Sequence, residues 1–219
     1  MDEAERAHQP RVGRSALSGI LRDHTADAHR AAEAAMSVDF CRPGASEYLA
    51  VLKGLSIFHA AVAQFSRETV ARELGPDLVA LHRGPALRTD IRLMSQRVTD
   101  SAEGASARSR EPEGPIVTKQ LRGGREERIG AAYVAAGSVL GGRLIAARLT
   151  AGPGSDFPRS FFASEGLDVG RLWRRFKTAL DAFGESGADP ARVTAGALAA
   201  FTLIRDVLGG PPNATTGAT

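Results

Sequence analysis

The sequence predicts an all-α, single-domain helical bundle, and three observations carry that prediction. Apolar residues recur three and four positions apart in six separate segments, the period of a helix buried along one face. Glycine and proline punctuate the gaps between those segments, and no run of alternating β-branched residues marks a strand. A length of 219 residues suits one domain with a sizeable core.

Residues 1–14 mix charges of both signs without an apolar stretch, so they are read as a flexible tail rather than a secretory signal. The helical domain is expected over 15–208. Its first helix spans 15–36, with Leu17, Leu21, Ala28, Ala32 and Ala35 on one face. Pro43 and Gly44 end that segment, and Ser46 is the expected N-cap of a second helix carrying Leu49, Leu52, Leu55, Phe58, Val62 and Phe65 to about Glu73. A short piece follows Gly75 and Pro76, then a helix over 85–98. The stretch 100–124 opens with Ser, Ala, Gly, Glu and Arg and little to bury, and is expected to be a mobile insertion. Further helices are expected over 125–149, 169–183 (Trp173 and Phe176 inward) and 190–208, before a flexible tail at 209–219.

The bulk chemistry excludes several function classes. A net charge of +3 comes from arginines spread along the chain among acids, whereas a nucleic-acid protein concentrates its charge on a face or tail. The longest nearly uncharged run, 129–142, falls short of the roughly 20 residues of a membrane span. A soluble, cytoplasmic protein that meets neither nucleic acid nor membrane is therefore expected. Cys41, the single cysteine, excludes a disulfide framework and a cysteine metal cluster, and a lone buried thiol is the expectation for it.

Two segments carry chemistry. In the first helix Arg22, His29 and Glu33 share a narrow stripe roughly 80 to 120° round from Leu21. Arg22 and His29 are separated by about 10 Å along the axis, a span between the metal of a porphyrin and the carboxylates on its edge. Glu33 lies one turn beyond His29, where it can orient a metal-binding imidazole. A solvated helix edge with ordinary contacts one turn apart fits the same three residues. His24 falls on the apolar side and is read as a packed core histidine.

The second segment runs Gly130-Ala-Ala-Tyr133-Val-Ala-Ala-Gly137-Ser138-Val-Leu-Gly141-Gly142-Arg143. Each glycine inside a helix costs up to about 1 kcal/mol relative to alanine, so four in one helix need a reason. Gly130, Gly137 and Gly141 fall within roughly 40° of one another. A stripe without side chains admits either another helix or the face of a planar cofactor.

Taken together, Leu21-Arg22-Asp23-His24-Thr25-Ala26-Asp27-Ala28-His29-Arg30-Ala31-Ala32-Glu33 and Gly137-Ser138-Val139-Leu140-Gly141-Gly142 resemble the proximal and distal helix motifs of the heme oxygenase family. Tyr133-Val134 and the serine after the first glycine resemble the bacterial branch found with bacteriophytochromes. The chain departs from the pattern at His24, at Ala135 and Ala136, in the long basic insertion, and at Ser138, where many members carry an aspartate. The resemblance implies a heme oxygenase-like bundle with heme sandwiched between a proximal and a distal helix, the iron ligated by His29.

The activity so implied is oxidative cleavage of heme at a meso carbon to biliverdin, carbon monoxide and ferrous iron, using oxygen and external electrons. Gly137, Ser138 and Gly141 would shape the distal side. Arg22, with Gly142, Arg143 and Arg205 as further candidates, would contact the heme or its propionates. Implied partners are heme itself, an electron donor such as a ferredoxin or flavin reductase, and a bacteriophytochrome receiving biliverdin. The alternative is a carrier or sensor of the same fold that binds heme or another tetrapyrrole without degrading it. A diiron oxidase of the same superfamily is disfavoured, because neither His59 nor His82 has Glu three residues before it.

Overall fold

The computed structural model describes residues 16–209 except 37, 102–118 and 154. Both tails and most of the expected 100–124 insertion lie outside the described residues. Seven helices follow in order: α1 (Leu17–Ala35), α2 (Ala45–Glu73), α3 (Gly84–Asp100), α4 (Arg125–Ala151), the short α5 (Ser160–Ala163), α6 (Val169–Glu185) and α7 (Pro190–Gly209). A 3-10 turn, Pro76–Leu81, links α2 to α3. Every regular element among the described residues is helical.

Local chemistry sets several helix starts. Glu127 reaches back to accept from the Gly124 amide at 2.8 Å, satisfying an otherwise orphaned donor at the head of α4. Asp168 accepts from the Arg171 amide at the head of α6, and Asp189 from Ala191 at the head of α7. Helix α2 begins at Ala45 after an extended Gly44, so Ser46 lies inside the first turn rather than at the expected cap. No sequence signal announced α5. It is held from outside: the buried Asp90 of α3 accepts from the amides of Ser160 (3.0 Å) and Phe161 (2.8 Å). Burial pushes the Asp90 carboxyl pKa up, and those two amides oppose the shift.

The core lies between α2, α4 and α7, around Tyr48, Phe58, Ile129 and Val193. Helices α4 and α7 approach so closely that a Cβ on Gly130 would run into the backbone oxygen of Val193. A Cβ on Gly196 would meet that of Glu127. Gly130 therefore belongs to helix packing, which divides the glycine stripe expected from the sequence. Helix α1 is tied to α6 at its start, where Asp181 accepts from the Ser18 amide (2.7 Å) and hydroxyl (3.1 Å). By length and composition alone α2 and α4 are apolar enough to cross a membrane. Slightly over half of each window, 56%, is buried in this fold.

Two further expectations are corrected. His24 is exposed, because the buried positions of α1 are Leu17, Leu21, Thr25 and Ala32. Adjacent positions stand 100° apart, and Thr25 takes the inward place with its hydroxyl donated to the Leu21 carbonyl at 2.7 Å. Cys41 is exposed as well. Its carbonyl, rather than its thiol, is the close contact, lying where a Cβ on Gly152 would fall.

Candidate functional site

A cavity of about 710 Å³ opens between α1 and α4, within the range of 300–1,000 Å³ common for small-molecule and cofactor sites. Arg22, Thr25, His29 and Glu33 of α1, with Met36 just past its end, form one wall. Tyr133, Gly137, Ser138, Gly141, Leu144 and Arg148 of α4 form the other. Phe161, Phe162, Trp173 and Phe201 close the back with aromatic surface.

The α1 wall presents a histidine toward that space. The His29 side chain is 58% exposed, and its Nδ1 lies 3.6 Å from Glu33 Oε2. That distance is long for a direct hydrogen bond and suited to electrostatic orientation or one bridging water. A carboxylate on the Nδ1 side favours a proton there and leaves the Nε2 lone pair for a metal. The edge of Phe201 limits ring rotation, with centroids 5.7 Å apart at 75°. Thus Arg22, His29 and Glu33 all line the cavity, and Glu33 stands beside Nδ1 of His29.

The α4 wall presents backbone. A Cβ on Gly141 would meet nothing within 4 Å, and one on Gly137 would meet only Trp173 at 3.8 Å. These two glycines hold α4 bare where it faces the cavity, which a flat ligand can approach closely. Gly142 also lines the cavity but has a second task, because a Cβ there would press on Phe162 at 3.2 Å. Ser138 sits between the glycines, donating its hydroxyl to the Ala135 carbonyl (2.8 Å) with His59 Nε2 at 3.1 Å.

Basic residues rim the opening, though not all those expected. Arg22 lines the cavity with its Nε donating to Asp23 at 2.9 Å, a contact that raises the Arg22 pKa. Arg143 and Arg205 lie outside the lining, and both are exposed. Arg143 is two residues past Gly141, about 200° round the helix, so it points away from the face that Gly141 occupies. Arg205 lies 3.9 Å from Asp206. Arg30 and Arg148 take their place in the lining. Arg148 follows Gly141 by seven residues, which returns it to the same face, so helical geometry alone was enough to find it. The aromatic back wall had no such signal, since Phe161, Trp173 and Phe201 come from three different helices.

A flat, mostly apolar ligand with a metal at its centre and an anionic group near Arg22 fits this set. His29 faces the cavity on one side and bare backbone on the other, aromatic rings back it, and Arg22, Arg30 and Arg148 stand near its lining.

The fold and cavity define an α-helical domain with an open cavity between its first and fourth helices, shaped for a planar molecule. The chain belongs to the heme oxygenase family, whose model, described as Heme oxygenase, matches residues 15–209. It is thus an oxidoreductase acting on heme. Its fold is similar to a solved structure of heme oxygenase from Leptospira interrogans, at 19% identity and a TM-score of 0.66. That similarity covers 89% of this chain and 98% of the other. No curated protein matches the chain.

Proposed function

We propose that this chain is a cytoplasmic heme oxygenase in which His29 ligates the iron and α4 shapes the opposite face. The observation that carries the proposal is the apposition of an oriented imidazole on α1 and the bare Gly137–Gly141 face of α4 across one cavity. Heme bound there supplies the iron where oxygen and external electrons meet, and is itself opened at a meso carbon to biliverdin, carbon monoxide and ferrous iron.

The protein's part is to bind, orient and exclude. Glu33 orients the His29 ring and favours its proton on Nδ1, so the imidazole would donate to the iron through Nε2 without thiolate-like push. Gly137 and Gly141 leave space above the ring for a small gas and block bulkier ligands by backbone. Arg22 pairs with a propionate at its end of the cavity and thereby sets the rotation of the ring, which decides the carbon that lies beneath the distal wall. Phe161, Phe162 and Trp173 keep bulk water from the inner edge. Electrons come from a ferredoxin or flavin reductase, and the biliverdin supplies a bacteriophytochrome or leaves as the by-product of iron release.

The test is a hemin titration followed by reduction under oxygen, read by absorbance. The proposal expects stoichiometric binding, loss of the Soret band and growth of biliverdin absorbance. Tight binding with a Soret band that survives reduction overturns it in favour of a carrier or sensor.

A further inference from the structure

Behind the distal wall lies a buried histidine that the reading above does not use. His59 of α2 is 1% exposed, enclosed by Phe58 and Phe161 at ring-centroid distances of 5.3 and 5.1 Å. It does not line the cavity. One ring nitrogen, Nε2, meets Ser138 Oγ at 3.1 Å; the other, Nδ1, is buried without a protein partner. His82, at the end of the 3-10 turn, also buries an Nδ1 without a partner. It lies close enough to His59 that a charge on one opposes a charge on the other.

Donor counting constrains what this arrangement does. Ser138 has one hydroxyl hydrogen, and the Ala135 carbonyl at 2.8 Å takes it. The contact with His59 is then a bond in which the imidazole Nε2–H donates and Ser138 Oγ accepts. A neutral ring protonated at Nε2 has a bare acceptor at Nδ1, which is the atom found unpartnered. Leaving such an atom unpaired in an apolar enclosure costs about 1–3 kcal/mol, and an ordered internal water is the usual remedy. The ring stays neutral because burial, reinforced by His82, holds its pKa down at about 3. Around the pair, burial and then Arg67 hold down the pKa of His82, and Arg83 donates to the Ser160 carbonyl at 2.9 Å.

We propose that His59 is a positioning residue for the distal wall: its Nε2–H pins Ser138 Oγ, while its Nδ1 accepts from a buried water. Resting on the placement of Ser138 in the distal wall of a heme site, this assigns Ser138 a specific role. With its hydrogen committed to Ala135 and one lone pair to His59, Ser138 offers the cavity an acceptor. It therefore orders a distal water by receiving a hydrogen bond, not by giving one. No aspartate is needed for that task, because a neutral imidazole fixes the hydroxyl from behind.

The test begins without any ligand. Nitrogen-15 NMR of the full chain labelled at histidine is expected to show His59 protonated at Nε2, with an Nδ1 shift typical of a water-bonded acceptor. Ser138→Ala is expected to move the Nε2–H resonance and speed its exchange. A ring protonated at Nδ1, or His59 signals indifferent to Ser138→Ala, overturns the proposal. In the heme-loaded protein, His59→Leu and Ser138→Ala are each expected to lower turnover about tenfold with hemin affinity retained, and the double variant no further. Additive losses overturn a role exerted through Ser138. Should His59→Leu not fold, the NMR comparison of the wild type and Ser138→Ala decides alone. Failure of the wild type to take up hemin would remove the heme reading and leave the tautomer result standing on its own.

Discussion

Substituting Gly141 by alanine separates ligand binding from folding. The position lies inside α4, where replacing glycine by alanine recovers about 0.5–1 kcal/mol of helix propensity and unfolded-state entropy. No packing penalty offsets that gain, because the new Cβ meets nothing within 4 Å. For a domain of this size a gain of that order raises Tm by roughly 1–4 °C. The same methyl group projects into the cavity, toward the face of a bound porphyrin. The ligand-free Gly141→Ala protein is thus expected to melt higher than wild type, yet bind hemin less tightly and turn it over more slowly. Gly141→Leu extends the effect to blocked distal access. Gly130→Ala is the internal control, since its Cβ runs into the Val193 carbonyl and forces α4 from α7. Overpacking of that kind costs about 1–3 kcal/mol and lowers Tm whatever the ligand. Thermal melts and hemin titrations on the three variants read both quantities. A lower Tm for Gly141→Ala, or unchanged hemin binding and turnover in Gly141→Leu, would show that this glycine packs against protein and refute the argument.

Three further outcomes are expected. His29→Ala loses the iron ligand and most turnover while some hemin still binds by burial, so the ferrous–CO spectrum changes; an unchanged spectrum and rate would end the assignment. Asp90→Ala strands the Ser160 and Phe161 amides at α5 and lowers stability by about 2–4 kcal/mol, measured by urea unfolding, with Phe161 and Phe162 displaced from the cavity. Acid should weaken the fold through the buried histidines, whose pKa values fall from 6.5 to about 3 for His59 and about 4 for His82, with burial the main cause. Their folded pKa values are lowered, so the unfolded chain binds more protons between about pH 6.5 and 4 and stability falls as pH drops through that window. The slope approaches about 1.4 kcal/mol per pH unit for each histidine, and His59→Leu should reduce it; a stability flat in pH over that range would contradict neutral buried rings.

Helix periodicity and Gly/Pro punctuation predict six long helices, because each buries one face and that face is written in residues three and four apart. Within a single helix the same arithmetic places Arg22, His29 and Glu33 on one stripe, and it applies equally to Arg148, which shares the face of Gly141. Facts that depend on two helices at once lie beyond it. Gly130 and Gly141 lie within about 20° of each other on α4, yet one meets the backbone of α7 and the other opens into the cavity. Arg143 and Arg205 look as cationic as Arg30 and Arg148, and only the packing of α1 and α4 on α7 separates rim from surface. The four-residue α5 has too little length to show a period and exists because a carboxylate on α3 caps it. The pairing of His59 with Ser138 joins residues 79 positions apart. The sequence by itself determined which faces are apolar and which helix carries the candidate ligand. Which face meets which, and so where the cavity lies and what stands behind its wall, was decided by close packing, since a helix's own period holds no information about its neighbour.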